Sequence, residues 1–337
     1  MSRGEVFVTG GSGLVGGALL ARLVGDGRPV RALARSEAAA RSMEAAGALP
    51  AAGDLADFDA LARGMRGCST VFSAAGLNAM CLRDPAPLFR TNVEGAANVI
   101  RAASAAGVER VVHTSSAAAI GEARGTIGRE DSPHRGWFLS RYEESKYLGE
   151  REVFALGRQL GVEVVCVNPS SVQGPGRAGG SARLLLDLVR GHLPIVDTYV
   201  SIVDVLDCAD GHVRAAELGV PGERYLLNGV TLQSRHAVAL LRAETGRPRR
   251  VRRLPRVAAT AAGALGEAGG AIARRDPPLC RELTRTLLHG HRYDGSRATR
   301  DLGSVYTPIR DTIRRTMAWF EQQGLIDASA GTGGAAD

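Results

Sequence analysis

The chain has 337 residues, and 42 basic side chains against 35 acidic ones leave a formal net charge of +7. An apolar fraction of 45% with 23% charged residues belongs to a folded globular protein and excludes global disorder. No apolar run reaches the ~18 residues of a spanning helix, and at roughly 150 residues per domain the length means one large domain or two coupled ones.

In chain order, β-branched runs bounded by glycine alternate with longer segments of helical periodicity. Val6-Phe7-Val8-Thr9 reads as a strand, and Leu14 to Val24 as a helix. Val30 to Ala34 is a second strand, followed by an alanine-rich helix from about Ser36 to Ala46. A third strand precedes Gly53. Thr70 to Ala74, Arg110 to Thr114 and Val162 to Val167 continue the series. Strands alternating with helices specify βαβ units, and so an α/β fold with a doubly wound, mostly parallel Rossmann-type sheet. After Pro169 the texture changes: Gly and Pro crowd Gln173 to Gly180, and helices are expected to dominate a smaller lobe. The division expected is a dinucleotide-binding domain over 1–168, with returning segments near 198–218. A substrate lobe then spans 169–326, and a flexible polar tail 327–337.

Directly after the first strand stands Thr9-Gly10-Gly11-Ser12-Gly13-Leu14-Val15-Gly16. A tight strand-to-helix turn needs the positive φ that glycine supplies without steric cost. A bare backbone also lets a pyrophosphate approach the N–H groups that open the helix. Gly10, Gly13, Leu14, Val15 and Gly16 are therefore candidate dinucleotide contacts; a ligand-free glycine turn is the bland alternative. NAD sites usually place Asp or Glu at the end of the second strand, to bind the ribose 2′-hydroxyl. Here that strand ends Leu33-Ala34-Arg35-Ser36. A guanidinium at Arg35 can fork onto a 2′-phosphate, with Arg41 as a further contact, so NADP(H) is expected over NAD(H). A solvated surface charge is the other reading of Arg35. Asp54, in Gly53-Asp54-Leu55, either accepts from the adenine amino group or caps the helix beginning near Phe58. Ala74-Ala75-Gly76 is small enough for a cofactor to lie against the backbone.

His113-Thr114-Ser115-Ser116-Ala117 closes the fifth strand, at the sheet edge where such folds hold ligands. Further on comes Tyr142-Glu143-Glu144-Ser145-Lys146. Positions i and i+4 share a helix face, so Tyr142 and Lys146 point the same way. A phenol titrates near pH 10; a neighbouring ammonium, and an oxidised nicotinamide, favour the phenolate. Forty-one of the 42 basic residues are arginine, and Lys146 is the one lysine. Interchangeable basic positions would rarely place it there, and arginine is a poor substitute for a compact point charge.

These motifs resemble the extended short-chain dehydrogenase/reductase family, within the NAD-dependent epimerase/dehydratase superfamily. Asn168-Pro169-Ser170-Ser171-Val172-Gln173-Gly174-Pro175-Gly176 is similar to that family's loop after the sixth strand. Thr91 to Gly95, Val203-Asp204-Val205, Gly222 to Tyr225 and Gly295 through Gly303 extend the likeness to about Gly324. The nearest branch resembles dihydroflavonol 4-reductase-like and hopanoid-associated sugar epimerase-like proteins. The resemblance implies Tyr142 as proton donor to a substrate carbonyl. It also implies Lys146 on the nicotinamide ribose, lowering the tyrosine pKa, and Ser116 rather than Ser115 on the carbonyl oxygen. Asn92 would organise a proton-relay water, and residues Pro169 to Val172, with Tyr142 and Lys146, would contact the nicotinamide half of the cofactor.

Three functions compete at this point. The first is an NADPH-dependent ketone or aldehyde reductase for a hydrophobic, secondary-metabolite-like carbonyl. The second is a nucleotide-sugar epimerase or dehydratase with bound NAD, against which stand Arg35 and the lack of arginine in Tyr199 to Asp204. The third is a non-catalytic NADP-binding regulator, against which stands the presence of Ser116, Tyr142 and Lys146. Hydroxysteroid-type oxidation is a further possibility. The expected partner is a small carbonyl or alcohol, with a homodimer left open.

The remaining features read more simply. Cys68, Cys81, Cys166, Cys208 and Cys280 are scattered and odd in number, the pattern of reduced thiols in a cytoplasmic protein, and no signal sequence is read at the N-terminus. Six arginines between Arg247 and Arg256 have no interleaved aromatics and do not point to nucleic acid. They and the following Ala/Gly-rich segment to Ala273 read as a surface helix of the small lobe rather than a membrane-binding one. Trp137-Phe138 either walls the substrate site or packs. His113 reads as a packed strand residue, and His289 and His291, two apart, have no visible third partner, so no metal is expected.

Overall fold

The apolar runs of the first half become strands because their alternate side chains find cover on two faces. In the computed structural model, residues 4–327 are described, except 177, 192–193 and 247–250. The first half runs β1 (Val6–Thr9), α1 (Leu14–Gly25), β2 (Val30–Ala34), α2 (Glu37–Ala45), β3 (Leu49–Ala52), α3 (Phe58–Met65) and β4 (Thr70–Ser73). It continues through α4 (Ala86–Phe89), a π-helical turn (Arg90–Gly95), α5 (Ala96–Ala105), β5 (Arg110–Thr114), a 3₁₀ turn (Ala117–Ile120), α6 (Arg141–Leu160) and β6 (Glu163–Pro169). On β1, Val6 and Val8 enter the core beneath α1, while Phe7 enters the opposite core with Leu61, Met65 and Ile100. That two-faced burial is what a parallel sheet demands.

The second half runs β7 (Ser171–Gln173), α7 (Ser181–Val189), β8 (Tyr199–Asp204), α8 (Val205–Leu218), β9 (Arg224–Leu227) and β10 (Val230–Gln233). Five helices follow: α9 (Ser234–Thr245), α10 (Arg256–Ala273), α11 (Arg281–His289), α12 (Ser296–Leu302) and α13 (Ile309–Gln322). The main sheet has the order β3-β2-β1-β4-β5-β6-β9, and its registered pairs are all parallel. The winding reverses between β1 and β4, and the crevice beyond their C-terminal ends is where such a sheet holds a ligand.

The second half departs from the expected helical texture. It gives β9 to the main sheet and forms a second sheet, β10-β8-β7, in which β8 pairs antiparallel with β10 and parallel with β7. Short strands such as Arg224–Leu227 carry too little pattern to stand out in a sequence. A separate core of Leu186, Val189, Leu241, Ile313, Met317 and Phe320 joins α7, α9 and α13.

The cysteine expectation is corrected. Cys81 and Cys280 form a disulfide across 199 residues, tying the loop after β4 to the start of α11. Cys68, Cys166 and Cys208 are free and buried. Among the described residues no helix is long and apolar enough to cross a membrane. Of the arginine cluster, Arg247, Arg249 and Arg250 lie outside the described residues, as does the tail from Ala328. Arg256 opens α10, whose Val257, Leu265 and Ile272 are exposed.

Candidate active site

The glycine turn closes on itself at contact distances that exclude side chains. Gly10 has φ +76°, and a Cβ there would lie 2.6 Å from the Ala75 nitrogen; one on Gly16 would lie 2.1 Å from the Gly10 carbonyl oxygen. Gly13 N-caps α1 with no side-chain hydrogen bond, so no side chain occupies the N–H groups that open this helix. These bare donors, at the crevice between β1 and β4, fit the pyrophosphate of a dinucleotide. Leu14 and Val15 follow in the first turn, packed on the core. The backbone of Ala75 is fixed by donation to Thr9 Oγ1 at 3.1 Å. Gly76 leaves room beside Lys146 Nζ and Asn92 Oδ1, 3.7 and 3.3 Å from the position a Cβ would take.

Arg35 lies exposed just beyond β2, and Arg41 is drawn to Glu37 at 3.4 Å. Asp54 does not cap α3: Asp57 does, accepting from Ala60 N at 2.9 Å. Asp54 instead accepts from Ala56 N at 3.1 Å. Leu55 packs against Gly95, and its carbonyl accepts from Asn98.

Helix α6 positions the tyrosine and the lysine. Ser140 caps it, accepting from Glu143 N at 3.2 Å, while the Glu143 carboxylate reaches back to Leu139 N at 2.7 Å and pairs with Arg135. Tyr142 thus stands in the first turn and Lys146 one turn further. The Ser116 side chain comes close enough to the Tyr142 hydroxyl to favour its phenolate, joining α6 to the end of β5. Ser116 also caps the 3₁₀ turn, its hydroxyl accepting from Ala118 N at 3.2 Å, whereas Ser115 is buried. Lys146 Nζ is buried and donates to the Thr114 carbonyl at 2.7 Å. Burial lowers its pKa to about 8, against the opposing pull of Glu150. The expected lowering of the tyrosine is not what the protein alone provides. Desolvation raises the Tyr142 phenol, and Ser116 only partly offsets it.

Asn92, in the π-helical turn, uses both amide donors and its oxygen. It accepts from Leu77 N at 2.8 Å and donates to the Leu77 carbonyl and Ser145 Oγ, both at 2.9 Å. It therefore pins the loop after β4 to α6. Pro169 ends β6, and Val172 lies in β7 with its side chain in the core. Asn168 donates to the Ser116 carbonyl at 3.0 Å and to Glu150 at 2.6 Å.

His113 is packed as expected, bonded to Ser73 Oγ at 3.3 Å and kept neutral by burial. Trp137 is exposed beneath the Arg135 guanidinium, and Phe138 rests against His134 and Tyr147. The sequence reading missed one grouping. His289 and His291 do have a third partner, Glu122, brought to them across 169 residues of chain. No local signal marks such a pairing.

Residues 6–227 match the model of the NAD dependent epimerase/dehydratase family. The chain belongs to that family. A putative dihydroflavonol 4-reductase from Synechocystis sp. is 31% identical over 330 residues, covering 95% of each chain. The crystal structure of gox2253 superposes with a TM-score of 0.82 at 31% identity, covering 96% of this chain and 99% of that one. Family and fold make the protein a nicotinamide-dependent Rossmann enzyme of the oxidoreductase type.

The expectation of NADP(H) does not stand. Several similar structures have NAD named as the bound cofactor. They include UDP-glucuronic acid 4-epimerase from Bacillus cereus, with a TM-score of 0.75 at 16% identity over 95% of this chain and 99% of that one. DesIV, the dTDP-glucose 4,6-dehydratase of Streptomyces venezuelae, superposes at 0.76 with 22% identity over 96% and 99%. Arg35 explains the error. A guanidinium at that strand end permits a phosphate without requiring one, and here it projects into solvent.

Proposed function

We propose that the chain transfers hydride between NAD and a secondary alcohol or ketone carbon of a small carbonyl or sugar substrate. The observation that carries this is the convergence of Ser116 and Tyr142, with Lys146 one helical turn away beside Gly76. The crevice fits NAD: Gly10, Gly13 and Gly16 would hold its pyrophosphate, and Lys146 its nicotinamide ribose. NAD, when bound, supplies the acceptor and donor of hydride.

The rest is the work of this chain. Two hydroxyls aimed at one point hold a substrate oxygen between them, and the partial negative charge that grows on that oxygen during reduction is met by both. Desolvation keeps the Tyr142 phenol protonated at neutral pH, the form that donates to a carbonyl oxygen. Alcohol oxidation needs the opposite form, and cationic neighbours favour it: the Lys146 ammonium, protonated below about pH 8, is the nearest that α6 provides.

For the finer chemistry we adopt the epimerase/dehydratase reading, in which hydride removed from the substrate is returned to it. It is supported by the family match and by the NAD named in similar structures. Net carbonyl reduction is the second reading, favoured by the reductase name of the 31% identical relative that matches 95% of the chain.

The test is hydride accounting on purified enzyme. Sugar-nucleotide turnover with no net change at 340 nm supports the first reading, and stoichiometric NADH oxidation on a ketone supports the second. Tyr142→Phe should bind NAD normally while losing turnover by roughly 100- to 10,000-fold. Turnover retained in that variant would overturn the assignment of the proton donor.

A further inference from the structure

Glu122, His289 and His291 converge from segments that are remote in sequence. Glu122 follows the 3₁₀ turn after β5. His289 ends α11, and Gly290, at φ +77°, turns the chain so that the His289 and His291 rings lie 4.7 Å apart. The carboxylate oxygen Oε1 of Glu122 is 2.6 Å from His291 Nδ1 and 3.5 Å from His289 Nε2. The three donor atoms all lie within 4.8 Å of one another.

Two of these groups are left short of partners. The Glu122 side chain is 1% exposed and that of His289 3%. Glu122 Oε2 and His289 Nε2 have no hydrogen-bond partner among the described residues. An unsatisfied buried polar atom costs about 1–3 kcal/mol, more when charged, so such atoms call for an explanation. Hydrogen bonding inside the cluster explains only half of it. His291 and the Tyr293 hydroxyl, 3.0 Å from His291 Nδ1, complete one side, and the other carboxylate oxygen and the second imidazole stay bare.

We propose that Glu122, His289 and His291 form a binding site for a divalent transition metal, zinc foremost. Two imidazole nitrogens and one carboxylate make a three-ligand zinc donor set with a position left open. Bonds of about 2.0–2.1 Å place neighbouring donors roughly 3.3 Å apart in a tetrahedron. The His289 spacing is close to this, whereas His291 has to swing back by about 0.7 Å from Glu122 and the two imidazole nitrogens, within 4.8 Å of each other, have to draw together. A cation held on Glu122 Oε1 satisfies the bare His289 nitrogen and neutralises the buried carboxylate. It would tie the loop after β5, which carries Ser116, to the lobe that carries α11. This inference is independent of the NAD chemistry.

The test uses the full chain stripped with chelator and then given ZnCl2 or CoCl2 alone. One equivalent of cobalt should produce visible d–d absorption that zinc abolishes, and zinc should raise Tm. Glu122→Gln and His291→Ala should each weaken zinc binding by more than ~100-fold. Absence of binding to the wild type, or equal binding by both variants, overturns the proposal. Should either substitution prevent folding, carbethoxylation of the wild type decides. Zinc should shield His291 but not the exposed His236, and equal labelling of His291 with and without zinc counts against the site.

Discussion

Lys146 pays a desolvation penalty that its single long hydrogen-bonded reach does not fully recover. Its nitrogen is buried, and its pKa falls from 10.5 to about 8. The folded state therefore releases this proton more readily than the unfolded chain does. The sign follows: the destabilisation is complete below about pH 8, shrinks as the pH rises towards 10.5, and vanishes above it. At about 1.4 kcal/mol per unit it is on the order of 3 kcal/mol. Lys146→Met should therefore be more stable than the wild type at pH 7, and the gap should close by pH 10.5. Urea midpoints across that range check it, and a gap that widens with pH refutes the assignment. A lysine retained at such a cost, in a chain that otherwise uses arginine, is explained by what its charge does rather than by what it stabilises. Tyr142 and Lys146 were legible because their relation is local, one helical turn. Glu122 with His289 and His291 was not, since only the folded chain brings them together.

Among the elements, the β1–α1 turn is the least tolerant. The Gly16 position meets the Gly10 carbonyl oxygen, a backbone atom that cannot rotate aside. Gly16→Ala should force the turn open, lower Tm and abolish NAD binding together. Titration of NAD fluorescence quenching, alongside thermal melts, measures both. Binding that persists unchanged would mean that the turn does not hold the pyrophosphate. This element could be read from sequence because strand, glycines and helix follow one another directly. The same locality gave α1 and β2 within a residue of their observed bounds. Arg35 shows the limit of local reading: its position was identified correctly, but the charge there did not settle the cofactor. Likewise Asp54 and Asp57 both offer a carboxylate before α3, and only the backbone geometry shows that Asp57 is the cap.

At the scale of the whole molecule, two halves that look distinct in sequence are joined repeatedly. Strand β9 completes the main sheet, α8 packs on α1, and Arg22 reaches Asp210 at 3.3 Å. The Cys81–Cys280 bridge adds a covalent link across 199 residues. A loop of that length restricts the unfolded chain strongly, by roughly 5 kcal/mol at most in the chain-entropy account. Cys280→Ser should lower stability by about 2–5 kcal/mol, and added reductant should lower the wild type to the same level without affecting the variant. Equal melting of oxidised and reduced wild type would mean that the bridge contributes nothing. Composition could not foresee this link, because five scattered cysteines offer many pairings and no spacing rule selects one.

The π-helical turn at Arg90–Gly95 has a consequence for how this chain tolerates length changes. A π-turn carries one residue more than an α-helix needs, and each helical residue rotates by about 100°. Removing a single residue upstream of Asn92 would let the segment relax into regular α-helix, an apparently stabilising edit. It would also swing the amide away from Leu77 and Ser145, freeing the loop that leads to Cys81. What is specified in this stretch is a phase as much as a composition, and a deletion would damage it more than most substitutions.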